Sequence, residues 1–354
     1  MKDYSQLNQF NKANLQSKIN EVTSKSDWQN VLNRVNDFDF YHTYDYHAIS
    51  CNSNETPILL TYIQESSTIA LPLILKSIEN TEYFDLTSVY GYAGPICNVN
   101  IDSYDFSNFK AELKAYLKSK NIVSVFSRLH PYIAQYQILE SLGEIFSLGD
   151  VVNIDITLPI KKSKAAYNKS NKNQINKIRR QCEVIKAETK EDILEFADIY
   201  FENMNRLNAE DQYYFEKDYF LNFMDSSDFK TDILLVKDIK SNSYIAGSMF
   251  VKTKNIVQFH LSGTRTEFLK LNPSKLFIDE MRLLATEQGY RFFNLGGGLG
   301  SEKDSLFKFK ASFSKDFRAF EVWKYIVNRD IYDKLSATKN ETNYFPKYRV
   351  NEKW

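Results

Sequence analysis

Four of the eleven glycines in this chain fall between Gly296 and Gly300, directly after the apolar run Tyr290 to Leu295. Glycine tolerates positive φ and lets a ligand or another backbone come close. Gly296, Gly297 and Gly298 could therefore present amide N–H groups to an anion or a carbonyl oxygen. The spacing is neither GxGxxG nor a P-loop closed by Lys-Ser or Lys-Thr, so the common nucleotide signatures fail. A tight turn beside a packed strand is the simpler alternative. Close behind comes Asp304-Ser305-Leu306-Phe307-Lys308-Phe309-Lys310-Ala311-Ser312-Phe313. Read as a strand, this segment places Lys308 and Lys310 on one face. A lysine partly desolvated among phenylalanines can stabilise an oxyanion or neutralise a phosphate, whereas a lysine that snorkels to water does neither.

Three further features carry weaker chemistry. Asn272 can cap a helix that has Pro273 at its first position, and Ser274, Lys275 and the free amides there could receive a pyrophosphate. His260 alternates with apolar residues on a strand, either as a general base or as a packed, satisfied histidine. Lys161 to Arg180 holds eight basic residues, with no acid between Asp155 and Glu183. It reads as a phosphate-binding surface or a solvated helix face. The other histidines, His42, His47 and His130, are not at metal-ligand spacing with His260, and no GxSxG elbow is present.

These residues need a large scaffold. The chain has 354 residues, 43% hydrophobic and 25% charged, with 45 basic side chains balancing 45 acidic ones. That composition excludes fibrous and wholly disordered classes, and it leaves no global field to hold nucleic acid or an anionic membrane. Cys51, Cys97 and Cys182 are far apart, against a disulfide framework. Met1 to Asn20 is polar, and no apolar run reaches about 18 residues, so the expectation is a cytoplasmic protein.

Periodicity gives interleaved elements. Asp27 can cap a helix through Val35, and Pro57 to Gln64 with Thr68 to Ile78 reads as a hairpin. Asp105 to Lys118, Glu191 to Arg206 and Phe215 to Met224 read as helices. Strands are expected at Ile122 to Phe126, Val151 to Leu158, Asp232 to Val236, Tyr244 to Lys252, Ile256 to Ser262 and Phe317 to Asn328. Helices and strands alternate in both halves, which defines an α/β protein with a boundary near Pro159.

In this order the segments resemble FemAB-like acyltransferases. Tyr90-Gly91-Tyr92-Ala93-Gly94-Pro95 is similar to a YGYGGP segment of that family, with Ala93 in place of glycine. Asn173 to Arg180 resembles the basic helix, and Tyr200 to Arg206 the Y-x-x-x-M-x-R motif, followed by Tyr213-Tyr214-Phe215. His260 to Thr264, Leu295 to Gly298 and Asp304 to Lys310 complete the resemblance, which covers roughly Trp28 to Leu335.

The resemblance implies tandem GNAT-like domains, each a mixed sheet flanked by helices. These would be residues 1–158, then 159–335 carrying the donor site, then a tail at 336–354. It implies acyl transfer to an amine, from acyl-CoA or from aminoacyl-tRNA, with no permanently bound cofactor. The acceptor would be an amine-bearing sugar or peptide, nucleotide- or lipid-linked, which admits peripheral attachment at the inner membrane face. The family's long helical arm has no counterpart here, which favours the thioester donor. Lys310 would stabilise the carbonyl, or a phosphate, and His260 or Asp304 would take the amine proton. Tyr92, Arg206 and Tyr214, with Gly296, Gly297, Gly298 and Lys308, would hold the substrate, and Asn272, Ser274 and Lys275 the CoA. A non-catalytic glycan- or peptide-binding relative is the remaining alternative.

Overall fold

The computed structural model describes residues 19–339 and 342–350. The polar start up to residue 18 and the last four residues of the expected tail lie outside the described residues.

The chain opens with β1 (Ile19–Val22) and α1 (Lys25–Leu32), then α2 (Tyr44–Ser50). Ser24, not Asp27, caps α1, accepting a hydrogen bond from the Asp27 N–H at 3.2 Å. Next comes the expected hairpin, β2 (Glu55–Gln64) and β3 (Ser67–Ser77), closed by two residues with Glu65 at φ 54°. β4 (Phe84–Thr87), β5 (Ile96–Cys97), α3 (Ser107–Ser119), β6 (Ile122–Arg128), α4 (Tyr136–Leu139) and β7 (Glu144–Asp155) complete the first half.

The basic stretch forms two helices, α5 (Ile160–Ala165) and α6 (Lys169–Ile178). Their few apolar residues decide the packing: Tyr167, Ile175 and Ile178 are buried against Leu276, Phe277 and Met281, so the lysines face outward. Then follow β8 (Cys182–Lys186), α7 (Lys190–Leu207), α8 (Lys217–Asp225), β9 (Lys230–Asp238), β10 (Tyr244–Thr253) and β11 (Ile256–Thr264). Last come α9 (Ser274–Glu287), β12 (Phe292–Gly296), α10 (Ser305–Lys310), β13 (Asp316–Ile326) and α11 (Arg329–Ser336). α7 starts with a Thr189–Asp192 capping box.

One sheet runs through both halves in the order β1-β2-β3-β4-β6-β13-β7-β12-β11-β10-β9-β8, with β5 on β3. Each half builds the same unit, a run of antiparallel strands followed by a helical crossover into a parallel neighbour. In the first half α3 joins β4 to β6, and in the second α9 joins β11 to β12. This is a tandem GNAT-like α/β fold, a mixed sheet flanked by helices. β13, the last strand, returns to lie between β6 and β7, and Trp323 on it is buried in the first half's core. Antiparallel pairing of β7 with β12 joins the two units. A shared aromatic core adds to it, where Phe40, Tyr41 and Tyr46 pack with Phe196, Phe220 and Phe223.

The segment after Ser336 also packs on the first half. Arg349 Nε donates to Asp85 Oδ2 at 2.5 Å and Nη2 to the Ser77 carbonyl at 2.8 Å, while the Tyr348 hydroxyl donates to the same carboxylate at 3.0 Å. Burial pushes the Asp85 carboxyl above its ordinary pKa even with Arg349 beside it. Removing one partner of a buried pair strands the other charge. Arg349→Met is expected to lower stability by about 3 to 5 kcal/mol at neutral pH, read by chemical denaturation.

Candidate active site

β11 and β12 are paired only at Ile256–Gln258 and Phe292–Asn294. Beyond that point β11 stays with β10 as far as Thr264, with His260 as an extra, bulged residue between Phe259 and Leu261. β12 instead follows β7, with Leu295 bulged, and stops at Gly296. The two parallel strands therefore part at their carboxyl ends, the usual place for a ligand in an open α/β sheet.

Lys310 fills the opening. Its segment is a helix, α10, and not the expected strand, because the Asp304 side chain caps it by accepting the Phe307 N–H at 2.8 Å. Two residues apart on a helix point to different sides, so Lys308 is exposed and Lys310 is buried. Lys310 Nζ donates to the Gly297 carbonyl at 2.7 Å and sits 5.8 Å from the centroid of the Phe259 ring. Burial lowers its pKa to about 8, against the opposing pull of Asp304.

The glycine loop is shaped for this contact. Gly296 is the residue at positive φ, 75°, and a Cβ there would meet Lys310 Nζ at 3.2 Å and the Tyr92 hydroxyl at 3.4 Å. Gly297 has no such backbone, but its Cβ would press on the Asp150 carbonyl at 2.9 Å. Gly298 is closed in by Glu302 and Asp304. Tyr92 arrives from the first half, supported edge-on by Tyr41 and Phe320. Burial raises its phenol pKa, opposed by interactions with Asn294 and Gly297.

Other sequence candidates lie elsewhere. The His260 ring stands among Phe40, Tyr46, Tyr219 and Phe223, with Nε2 2.8 Å from the Tyr219 hydroxyl. Burial drops its pKa to about 3, which makes it a weak proton acceptor. Asp304 is committed to its cap, and the backbone donors hold its carboxyl below the usual range. Asn272 does not cap α9: it is left-handed at φ 55° and ends a preceding 3₁₀ turn, because Pro273 takes the cap position. Lys275 donates to Gln174 on α6 at 2.6 Å. Arg206 is tied to Asn203 on its own helix, and Tyr214 is exposed.

Sequence reading missed the polar residues beneath the loop. Asn294 and Gln258 are register partners on β12 and β11, both fully buried, with Asn294 Nδ2 donating to Gln258 Oε1 at 2.8 Å. Each is the one polar residue in an apolar strand core, Phe-Phe-Asn-Leu and Ile-Val-Gln-Phe, and that was the available signal. A cleft of about 770 Å³ lies at the end of β11, lined by Glu195, Glu202, Tyr244, Arg265, Thr266 and Phe268. Arg265 there is paired with Glu195 at 2.7 Å and Glu202 at 2.9 Å, and no Lys310-group residue lines the cleft.

With this geometry in place, comparison with known proteins gives first the fold and then a family likeness over part of the second half. The structure resembles FemX, at TM-score 0.69 and 13% identity over 89% of this chain and 99% of that one. It also resembles L-PGS from Bacillus licheniformis, at 0.57 and 13% over 89% and 95%. A third likeness is a conserved protein of unknown function from Bacteroides thetaiotaomicron, at 0.55 and 12% over 87% and 98%. Residues 233–320, from β9 through the glycine loop and Lys310 to β13, match the FemAB family. Over residues 233–320 the chain is FemAB-like, and these findings point to an enzyme of the acyltransferase type. No curated protein matches it. Among the described residues, no helix is long and apolar enough to cross a membrane.

The buried ammonium has a measurable signature. A lysine whose folded pKa lies below its ordinary value carries the full burial cost below pH 8 and sheds it as pH rises to 10.5. The stability of the wild type relative to Lys310→Met is expected to be lowest below about pH 8 and to rise between pH 8 and 10.5. Denaturant titrations across that range check the sign.

Proposed function

We propose that this protein is an N-acyltransferase that moves an acyl group from a thioester, acyl-CoA, to the amine of a cell-envelope precursor such as an amino sugar. The observation that carries this reading is the buried Lys310 ammonium at the parting of β11 and β12, fixed on the Gly297 carbonyl with Tyr92 opposite. An amine attacking a thioester carbonyl builds a tetrahedral oxyanion, and a preorganised cation in a site shielded from water stabilises that charge most. The amide bond forms, the carbon–sulfur bond breaks, and the amine proton ends on the departing thiol. Lys310, with a pKa of about 8, is suited to donate to the oxyanion and to pass that proton. Tyr92, Arg206 and Tyr214 are the candidates for holding the acceptor.

A second reading, aminoacyl-tRNA as donor, is favoured by one observation. Lys161, Lys162, Lys169, Lys177 and Arg180 are all exposed on α5 and α6 or just beyond, a surface able to contact phosphates. The two donors separate experimentally. Purified protein is incubated with acyl-CoA or charged tRNA, each isotopically labelled in the acyl group, and an extract of envelope precursors, and labelled amide is sought by mass spectrometry. Transfer from acyl-CoA supports the first reading, and transfer from tRNA alone supports the second. No labelled product from either defeats both.

With the active donor, Lys310→Met is expected to lower turnover by about two to three orders of magnitude with little change in the Michaelis constant. Lys308→Met, exposed on the opposite side of α10, should leave turnover nearly unchanged. Because the protonated lysine is the working form, wild-type turnover should fall as pH rises through about 8.

A further inference from the structure

Beneath the Lys310 loop, a chain of hydrogen bonds crosses from the second half of the protein to a buried carboxylate of the first. Gly296 N–H donates to Asn294 Oδ1 at 2.9 Å, Asn294 Nδ2 to Gln258 Oε1 at 2.8 Å, and Gln258 Nε2 to Asp39 Oδ2 at 2.6 Å. Asp39, Gln258 and Asn294 are all within 1% of complete burial. Asp39 receives two more donors. Its Oδ1 takes the Phe40 N–H at 2.7 Å, and its Oδ2 lies 3.2 Å from His130 Nε2. The His130 tautomer is fixed by its other nitrogen, since Nδ1 accepts the Tyr132 N–H at 3.2 Å and so leaves the proton on Nε2.

The chain has a direction. An amide side chain can present either its oxygen or its nitrogen, so Gln258 and Asn294 could each sit in two orientations. An ionised carboxylate only accepts. Asp39 therefore draws the Gln258 nitrogen toward itself, which turns the Gln258 oxygen to Asn294 and the Asn294 oxygen to the Gly296 N–H. Reversing any link sets donor against donor between fully buried groups. We infer that Asp39 is a positioning residue: from the first half of the chain it sets the polarity of the Gln258–Asn294 relay and so fixes Gly296 and the Gly297 carbonyl that holds Lys310. The consequence for catalysis rests on the acyl-transfer reading; the consequence for the loop does not.

Asp39→Asn tests it. Asparagine has one acceptor oxygen where three donors converge, so its NH₂ must face either the Phe40 N–H or both Gln258 and His130. In the second orientation the reversal runs to Gly296. In the full-length variant, Gly296 amide exchange should accelerate at least about tenfold, with its resonance displaced, while Gly247 and Gly263 in the β10–β11 ladder keep their wild-type rates. Turnover should fall about 10- to 100-fold, with the Michaelis constant within about twofold. Unchanged Gly296 exchange in both folded Asp39→Asn and folded Gln258→Met proteins overturns the proposal. So does equal acceleration at all three glycines, which marks general loosening. A shifted Gly296 with full turnover overturns the catalytic part. If Asp39→Asn does not fold, Gln258→Met cuts the relay without introducing charge and is read by the same two measurements. A wild-type protein inactive with every donor defeats the acyl-transfer reading, while the Gly296 comparison still decides the relay.

Discussion

The pairing of β7 with β12 is the constraint on which the rest depends. Each half of the chain has an apolar sheet to finish, and among the described strands this antiparallel contact makes the two sheets one. It draws β12 away from β11 beyond Asn294, because a strand bonded to β7 on one side and bulged at Leu295 cannot stay in parallel register on the other. The opening that receives Lys310 is therefore a by-product of how the halves are joined. The site lies at the junction for the same reason, with Tyr92 and Asp39 supplied by the first half and the lysine, glycines and amides by the second.

The chemistry of the site follows from burial. A lysine in water is a strongly hydrated point charge; inside the protein, where the effective dielectric is lower, its charge is felt more strongly by anything that develops opposite it. Among the described residues the cost is met with a single backbone carbonyl, that of Gly297, and with no carboxylate in hydrogen-bond contact. That choice keeps the ammonium available, since a partner carboxylate would neutralise it. Asp304 is near enough to be felt but is committed to capping α10.

Burial acts in the same direction on His260, with the opposite outcome. An imidazole inserted among four aromatic rings, with one phenol hydroxyl as partner, stays neutral and serves packing between the halves. Charge on the helices α5 and α6 belongs to a third regime. Exposed lysines there cost nothing to keep and are free for a partner, while Arg282 and Asp279 beneath them are buried and satisfy one another at 2.8 Å.

The sequence by itself determined a good deal. Hydrophobic period 2 or 3.6 placed the hairpin, β9, β10, β11 and α7 close to their observed limits, since these elements bury one regular face and depend on local spacing. The glycine cluster after an apolar strand marked the loop, because few other residues could occupy Gly296. Local rules failed where a short range offered two answers. Lys308 and Lys310 fit a strand face as well as a helix until the Asp304 cap selected α10, and Asn272 fitted a cap until the preceding turn claimed it. What only the tertiary structure decided was which distant residues share one hydrogen-bond chain. Asp39, Gln258 and Asn294 are separated by more than two hundred positions between the first and the second, and none belongs to a local motif. The need to satisfy each buried polar group with a partner of opposite sense joins them, and that need exists only once the two halves have closed over them.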